Sequence, residues 1–159
     1  MHVDEGWRSM PYLAEGSIGI GLVLDQYLVH REDERFREAA GKIRRAAEGY
    51  FYAQAGLFTG RAGMILYLSR LRHGDPGDER LSDAAAGHIR RLRWHALAFG
   101  GHLAFSGDQN LRLSMDLATG TAGVLLALGA ALHDQAPSLP FLHAGMTSVA
   151  PAEPVGAAR

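Results

Sequence analysis

The stretch Phe58-Thr59-Gly60-Arg61-Ala62-Gly63-Met64 decides the fold of this chain, because a version of it occurs three times. The other two versions are Ala14-Glu15-Gly16-Ser17-Ile18-Gly19-Ile20 and Ala118-Thr119-Gly120-Thr121-Ala122-Gly123-Val124, so the first glycines of the motifs are separated by 44 and then by 60 residues. Each motif is a Gly-x-x-Gly that leads into a nearly continuous apolar run, such as Ile65-Leu66-Tyr67-Leu68. A helix that is apolar nearly all round is buried on all sides, so each motif predicts the start of a buried helix.

The two glycines of each motif have different predicted roles. The first glycine permits a sharp turn into the helix, and the second, one turn later, lets a neighbouring backbone approach closely. Ser17, Thr59 and Thr121 stand where an N-cap side chain would accept hydrogen bonds from the free N–H groups of the helix. We therefore predict side-chain capping at the start of all three helices.

Helices of a second kind lie between the motifs. Residues 33–53 place apolar side chains at steps of 3 and 4 along one stripe and charged side chains on the opposite face, and residues 79–99 repeat this pattern. Each segment predicts an amphipathic helix that packs on one side only. Buried and one-sided helices that alternate in this way indicate an α/α toroid or solenoid. The predicted fold class is therefore all-α, a partial α/α toroid of inner and outer helices with the glycine motifs at one mouth.

The interval before the third motif contains extra residues. Gly100-Gly101 predicts the end of the preceding helix, and alternation on both sides of a turn predicts a short β-hairpin near 102–114. We predict one domain over 1–133 and a disordered tail over 134–159, which is rich in proline and small residues. Within this tail, apolar side chains are expected to dock at Leu139, Phe141 and Leu142. Because three repeats cannot close a ring, either more chain lies upstream or the exposed repeat faces self-associate.

The composition excludes several classes of function. Hydrophobic residues make up 47% of the chain and charged residues 21%, and the formal net charge is −1. This balance is typical of a globular protein and gives no overall field that would attract nucleic acid or an anionic membrane. The absence of cysteine excludes disulfides and thiolate ligands within the chain. We expect a cytoplasmic location, because neither a signal core nor a membrane span is evident.

Residues 7–133 resemble the last three repeats of the LanC-like cyclase fold, a toroid of seven inner and seven outer helices with a glycine-rich motif at each inner helix. The run Arg112-Leu113-Ser114-Met115-Asp116-Leu117-Ala118-Thr119-Gly120-Thr121-Ala122-Gly123 and the ending Leu139-Pro140-Phe141-Leu142 look most like fused three-domain synthetases, in which a lyase and a kinase domain precede the cyclase. The resemblance implies that the parent protein is a lanthionine synthetase. It would form thioether rings by adding Cys thiols to dehydrated Ser or Thr residues of a ribosomal precursor peptide. The implied partners are this peptide and the upstream lyase and kinase domains, and the fragment is expected to be inactive alone.

The resemblance also bears on zinc. Classical LanC cyclases bind the metal through a Cys before one glycine motif and a Cys-His pair before the next, and these positions fall here on Ala14, Phe58 and Thr59. Ala and Phe have no donor atom, and a neutral Thr hydroxyl is a poor zinc ligand. The resemblance is therefore to the zinc-free class III members, and it implies no metal or other cofactor.

Without a metal, protein groups must deprotonate the thiol and protonate the enolate. The candidates at the predicted mouth include Glu15 or His102 as the base and Arg61 as a stabiliser of enolate charge. The full set of catalytic candidates is Glu15, Arg61, His102 and Asp116, and the substrate-binding candidates are Thr59 and Thr119. The alternative is that these residues only cap helices and solvate the mouth.

Three other interpretations stay open at this point. The chain could be a degenerate LanC-like module that binds the precursor peptide or scaffolds other domains without catalysis. It could be related to α/α-toroid glycosidases, which need a carboxylate pair, for which Glu15 and Asp116 are the only obvious candidates. His88, His95 and His102 are spaced by seven, which suggests a metal site, but this spacing is too wide for ligands on one helix and favours half-buried outer-helix histidines.

The basic run Arg90-Arg91-Leu92-Arg93 also has two interpretations. Its arginines lie off the apolar stripe of the predicted helix, which favours a solvated face. The alternative is a docking site for an acidic leader peptide. Nucleic acid is not expected there, because no aromatic platform accompanies the charges.

Overall fold

A computed structural model describes residues 2–4, 8–50, 52–133 and 139 of the chain. The described residues are mostly helical, with two short antiparallel hairpins, β1–β2 and β3–β4. The prediction of an all-α fold with a short hairpin is confirmed. The elements in chain order are β1 (His2–Asp4), β2 (Arg8–Met10), α1 (Ser17–His30), α2 (Glu34–Ala47), α3 (Arg61–Gly74), α4 (Glu79–Leu92), β3 (Ala96–Phe99), β4 (His102–Phe105) and α5 (Thr121–Leu132).

Helix α3 lies at the centre of the structure. Met64 and Leu68 join a core cluster with residues of α1, α2 and α4, whereas Ile65 and Leu66 join a second cluster with residues of α4, α5 and β4. Every residue from 61 to 69 is buried, so α3 is enclosed on all sides, as its apolar sequence predicts. Its C-terminal end is tied to α5, because Arg72 donates a hydrogen bond to the carbonyl oxygen of Ala131 at 2.7 Å.

The first and third of the apolar helices are buried on one side only. Helix α1 buries Ile18 and Leu22, but it exposes Ile20, Val23 and Val29. Helix α5 likewise buries Val124 and three alanines while Leu125 and Leu132 are exposed. The prediction of complete burial is therefore wrong for these two helices, because each has a packed neighbour on one side. Exposed apolar faces at the ends of the array are expected, because three repeats cannot close a ring.

Helices α2 and α4 are the amphipathic outer helices, and each begins at an aspartate. The Asp33 carboxylate accepts hydrogen bonds from two backbone N–H groups of the first turn of α2, and Asp78 does the same in α4. Both helices are shorter than predicted and end at Ala47 and Leu92. The predicted helix over 79–99 is wrong in its last part, where a single 3-10 turn over 93–95 leads into β3.

The hairpin that precedes α5 has a different partner strand from the expected one. Strand β4 pairs with β3, and the two are joined by Gly100 and Gly101, which both have positive φ. Two glycines with positive φ suit a two-residue hairpin turn, so this pair forms a turn rather than the end of a helix. The segment over 111–114 contributes only an isolated bridge between Ser106 and Leu113.

The predicted tail over 134–159 lies outside the described residues except for Leu139. That side chain is partly buried against the core cluster of α3 and α5, which confirms the predicted docking at this one position. Phe141 and Leu142 lie outside the described residues. In the part of the chain that the structure describes, none of the helices has the length and apolar character that a membrane crossing requires.

Candidate functional site at the glycine loops

The loops that precede α1, α3 and α5 lie side by side and are joined by backbone hydrogen bonds. The Ala14 N–H donates to the Phe58 carbonyl oxygen at 2.9 Å, and the Phe58 N–H donates to the Ala118 carbonyl oxygen at 3.0 Å. These three residues occupy the same motif position, two residues before the first glycine. We call the surface formed by residues 11–16, 53–60 and 106–120 the glycine-loop face. The repeat therefore brings the three motifs together at one end of the inner helices.

The second glycine of each motif makes room for its own loop. A Cβ atom at Gly63 would lie 2.5 Å from the carbonyl oxygen of Leu57, a separation that real Cβ atoms essentially never show. Gly19 and Gly123 contact the carbonyl oxygens of Leu13 and Leu117 in the same way, again six residues earlier. The predicted close approach of backbone at this glycine is confirmed in all three repeats.

The prediction of side-chain capping is wrong. The N-cap residues of the inner helices are Gly16, Gly60 and Gly120, and none of the three helices has a side-chain capping hydrogen bond within the described part of the chain. The first N–H of α3 instead donates to the Gln54 carbonyl oxygen, and that of α5 donates to the Ser114 carbonyl oxygen. These two loops fold back to satisfy the first N–H of their own helices, so hydroxyl side chains are not needed at the start of α3 and α5.

Thr121 has a different role from the predicted one. Its side chain is buried, and Oγ1 accepts a hydrogen bond from the Phe105 N–H at 3.0 Å. This contact fixes the end of β4 to the start of α5, so the hairpin is anchored to the glycine-loop face.

Asp116 is held within its own loop. Its carboxylate accepts hydrogen bonds from the Ser114 hydroxyl, from the Thr119 N–H at 2.7 Å and from the Thr119 hydroxyl at 2.9 Å. The Ser114 hydroxyl, followed by the Thr119 N–H, holds the pKa of Asp116 far below its usual range. An ionised carboxylate with these partners shapes the loop, and it is poorly suited to take a proton from a thiol. It is equally unsuited to the protonated role that one carboxyl group of a glycosidase pair requires.

Arg61 points into the protein rather than towards the mouth. Its side chain is buried, and Nη2 donates to the carbonyl oxygens of Tyr50 and Tyr52 at 3.2 and 3.3 Å. Nη1 lies 3.4 Å from His88 Nδ1. Burial lowers the pKa of the guanidinium, and the nearby charge of Arg91 lowers it further. Arg61 therefore fixes the chain between α2 and α3, and its buried position keeps it from an enolate at the mouth.

The three spaced histidines lie in different environments. His88 is buried and its Nε2 lies 2.9 Å from the Ala47 carbonyl oxygen, so this nitrogen carries the proton and Nδ1 accepts from Arg61. His95 is half-buried, and His102 is exposed on β4. Burial lowers the pKa of His88 to about 4. Among the described residues, no group of three His, Cys, Asp or Glu side chains could hold a metal ion.

The remaining candidates lie on or beside the glycine-loop face. Glu15 is exposed and has a φ of 58°, a left-handed backbone conformation next to Gly16. Thr59 lies beside Phe58 in the neighbouring loop, and the Thr119 backbone lies against Gly56. The structure thus brings together the loops of Glu15, Thr59 and Thr119, while it places His102 on the hairpin.

The positions that bind zinc in classical LanC cyclases can be compared with this geometry. Ala14 and Phe58 are joined by the 2.9 Å backbone hydrogen bond, and Thr59 follows directly. A methyl group, a phenyl ring and a neutral hydroxyl do not form a zinc ligand set. The fold therefore brings these positions together, but the side chains that occupy them do not fit zinc.

Two features of this region were not predicted from the sequence. The Ser114–Asp116–Thr119 network could have been recognised from the spacing of an Asp between two hydroxyl residues, which is typical of local side-chain to backbone hydrogen bonding. The contact of Arg61 with His88 had no local signal, because 27 residues separate them.

Comparison with known proteins gives one informative similarity. No protein-family model matches the chain. The chain is 53% identical over 142 residues to a protein of Streptomyces coelicolor named "Probable SapB synthase". The similarity covers 89% of this chain but spans only about 15% of the length of that curated relative. Over most of its length, this chain is therefore similar to one short segment of a much longer synthase.

Proposed function

We propose that this chain is the C-terminal part of the cyclase domain of a zinc-independent, class III lanthionine synthetase. The observation that carries the proposal is the set of three equivalent glycine loops, hydrogen-bonded in sequence through Ala14, Phe58 and Ala118. The similarity to a segment of a protein named as a synthase supports it. In this proposal the helices are part of a partial toroid, and the glycine-loop face is part of the mouth that receives a precursor peptide.

The proposed reaction requires no external oxidant or reductant. The sulfur of a Cys thiolate bonds to the β-carbon of a dehydrated Ser or Thr residue, and the π electron pair of its Cα=Cβ double bond moves towards the carbonyl group to form an enolate. A proton then adds to the α-carbon, so the thiol proton is in effect transferred to carbon. The protein must supply a base, a proton donor and stabilisation of the enolate charge.

Different side chains of this region are assigned different roles in the proposed reaction. Glu15 and His102 are exposed and remain the candidates for the base. Thr59 is a candidate for contacting the peptide backbone. Thr119 is a candidate only as an acceptor, because its N–H and its hydroxyl both donate to Asp116. Asp116 and Arg61 are assigned to shaping the loops, because their polar atoms are engaged in internal hydrogen bonds.

A second candidate function is supported by that same division of roles. Arg61 and Asp116 are held by internal hydrogen bonds, which favours a module that binds the peptide and supports the rest of the ring without catalysing the reaction. In this case, the groups that transfer protons would belong to other segments of the parent protein.

The full-length synthetase that contains this chain provides the test. A dehydrated precursor peptide is incubated with the enzyme, and the remaining free thiols are counted by mass spectrometry after alkylation. We expect deletion of these residues to abolish ring formation while dehydration by the other domains continues. Unchanged ring formation after the deletion would refute the proposal.

Point variants then separate the two candidate functions. Replacing a general base costs about a 100-fold or greater loss of rate, so we expect this loss in Glu15→Gln or in His102→Gln. Glu32→Gln is the matched control, since the Glu32 side chain is 95% exposed near the start of α2. Normal rates in both Glu15→Gln and His102→Gln would favour the module without catalysis.

A further inference from the structure

The β3–β4 hairpin carries large apolar side chains that the other described residues leave exposed. Phe99 is 66% exposed and Trp94, just before β3, is 68% exposed, while Leu97 is also exposed. Large exposed apolar side chains that lie together commonly mark an interaction site. We call the surface formed by Arg90, Arg93, Trp94, Leu97 and Phe99 the hairpin surface.

The base of this hairpin is fixed, so the exposed side chains are held on a defined scaffold. Phe105 is 2% exposed within the core cluster of α3 and α5, and its N–H donates to Thr121. The register pairs Leu97 with Ala104 and Phe99 with His102. Since cross-strand partners lie on the same face of a hairpin, Leu97 and Phe99 share one face with His102.

The charge around these side chains is positive. Residues 90–107 contain three arginines and two histidines and no acidic residue, although the whole chain has a net charge of −1. Arg91 lies over the Tyr50 ring at 4.0 Å, whereas Arg90 and Arg93 are exposed at the end of α4. The end of α4 that leads into the apolar hairpin therefore carries two exposed cations, and the complementary ligand is apolar and acidic.

We propose that the hairpin surface docks an acidic peptide segment that also carries apolar side chains. An extended segment suits the site, because the outer edge of β3 has no paired strand within the described residues, and such an edge can accept a further strand. The inference rests on the proposed function in one respect, since it assigns this segment to the precursor peptide. The two exposed arginines set the charge preference, and Phe99 with Trp94 provide the apolar contact.

Binding can be measured without any catalysis. The probe is a fluorescent synthetic peptide that alternates Glu and Leu, and the charge-reversed control alternates Lys and Leu. The 159-residue chain is titrated into each peptide, and fluorescence anisotropy is recorded at low and at raised salt. We expect the acidic peptide to bind at least tenfold more tightly than the basic one, with binding that weakens as salt is added.

Two variants locate the binding to the hairpin surface. Phe99→Ser removes the exposed ring and is expected to weaken binding of the acidic peptide at least tenfold, as is typical of an aromatic residue at the centre of an interface. Arg90→Glu combined with Arg93→Glu is expected to weaken it by a similar factor. The matched controls are Val29→Ser, at an apolar side chain that is 76% exposed on α1, and Arg35→Glu on α2. Both should leave binding unchanged.

Each contrary result has a defined meaning. Equal binding of the acidic and basic peptides, or equal binding by Phe99→Ser, would overturn the docking proposal. A concentration-dependent dimer in sedimentation that Phe99→Ser abolishes would also overturn it, because a second copy would then cover the surface. If these binding results are contrary while the full-length synthetase still forms thioether rings, only the docking inference fails. Tight binding without any ring formation would instead refute the proposed function.

Discussion

The substitution Gly63→Ala tests whether the repeat depends on close backbone contact. A Cβ at this position would lie 2.5 Å from the Leu57 carbonyl oxygen and 3.2 Å from the Leu13 side chain. Ordinary contact begins at 3.4 Å, so the loop or the helix must move by most of an ångström. The oxygen belongs to backbone rather than to a flexible side chain, which makes this movement costly.

The expected cost follows from three contributions. Forcing a methyl group into a packed interior costs about 1–3 kcal/mol. Displacing Leu57 also disturbs the two hydrogen bonds of Phe58 to Ala14 and Ala118, which contribute about 1 kcal/mol each. Alanine regains about 1 kcal/mol through its higher helix propensity. We therefore expect Gly63→Ala to lower the free energy of unfolding by about 2–4 kcal/mol, as estimated from these contributions.

The same chemical change at Gly41 should have the opposite effect. Gly41 lies inside α2, and the nearest atom to an added Cβ is the end of the Arg45 side chain at 3.8 Å. We expect Gly41→Ala to raise the free energy of unfolding by about 0.5–1 kcal/mol, because only the propensity term applies. Urea unfolding followed by far-ultraviolet circular dichroism measures both values in the 159-residue chain.

A change in the free energy of unfolding that has the same sign in Gly63→Ala and Gly41→Ala would refute the reasoning. If Gly63→Ala were as stable as Gly41→Ala, the close approach at the glycine would have no energetic importance. Gly19→Ala, at the equivalent position of the first repeat, keeps the test informative if Gly63→Ala fails to fold. Its loop has a neighbouring repeat on one side only, so a smaller loss of stability is expected there.

Two further predictions address the buried histidine and the residues Ala14, Phe58 and Thr59. The pKa of His88 is lowered to about 4, so the unfolded chain binds an extra proton between pH 4 and the ordinary histidine value near 6.5. The free energy of unfolding is therefore expected to fall as the pH decreases through this window, and to fall less in His88→Gln. Urea unfolding at each pH measures both. Parallel pH profiles of the two proteins would contradict the lowered pKa of His88. Combining Ala14→Cys, Phe58→Cys and Thr59→His is expected to create a site for one zinc ion, which native mass spectrometry would detect. The parent chain is the control, and no bound zinc in the triple variant would argue against the proposed relationship of these loops to LanC-like cyclases.

The candidate site was predictable from sequence only as a location. The repeated motif placed Glu15, Thr59 and Thr119 at one end of the inner helices, because equivalent positions of a repeat lie at equivalent places. The motif contains no information on side-chain direction. Arg61 turns inward because the carbonyl oxygens of Tyr50 and Tyr52 and the ring of His88 meet there, and Asp116 is engaged by hydroxyls of its own loop.

The sequence by itself determined the local features: where the inner helices begin, which helices are one-sided, and where glycine must leave room for backbone. These follow from periodicity and from the missing Cβ, which act over a few residues. Only the tertiary structure decided that β3 rather than 111–114 pairs with β4, and that α4 ends at Leu92. Large apolar residues alternate both in β3 and in 111–114, so either segment could pair with β4. The choice between them depends on burying Phe105 against α3 and α5 and on the acceptor that Thr121 provides. Those partners are distant in sequence, so no local pattern can contain the preference.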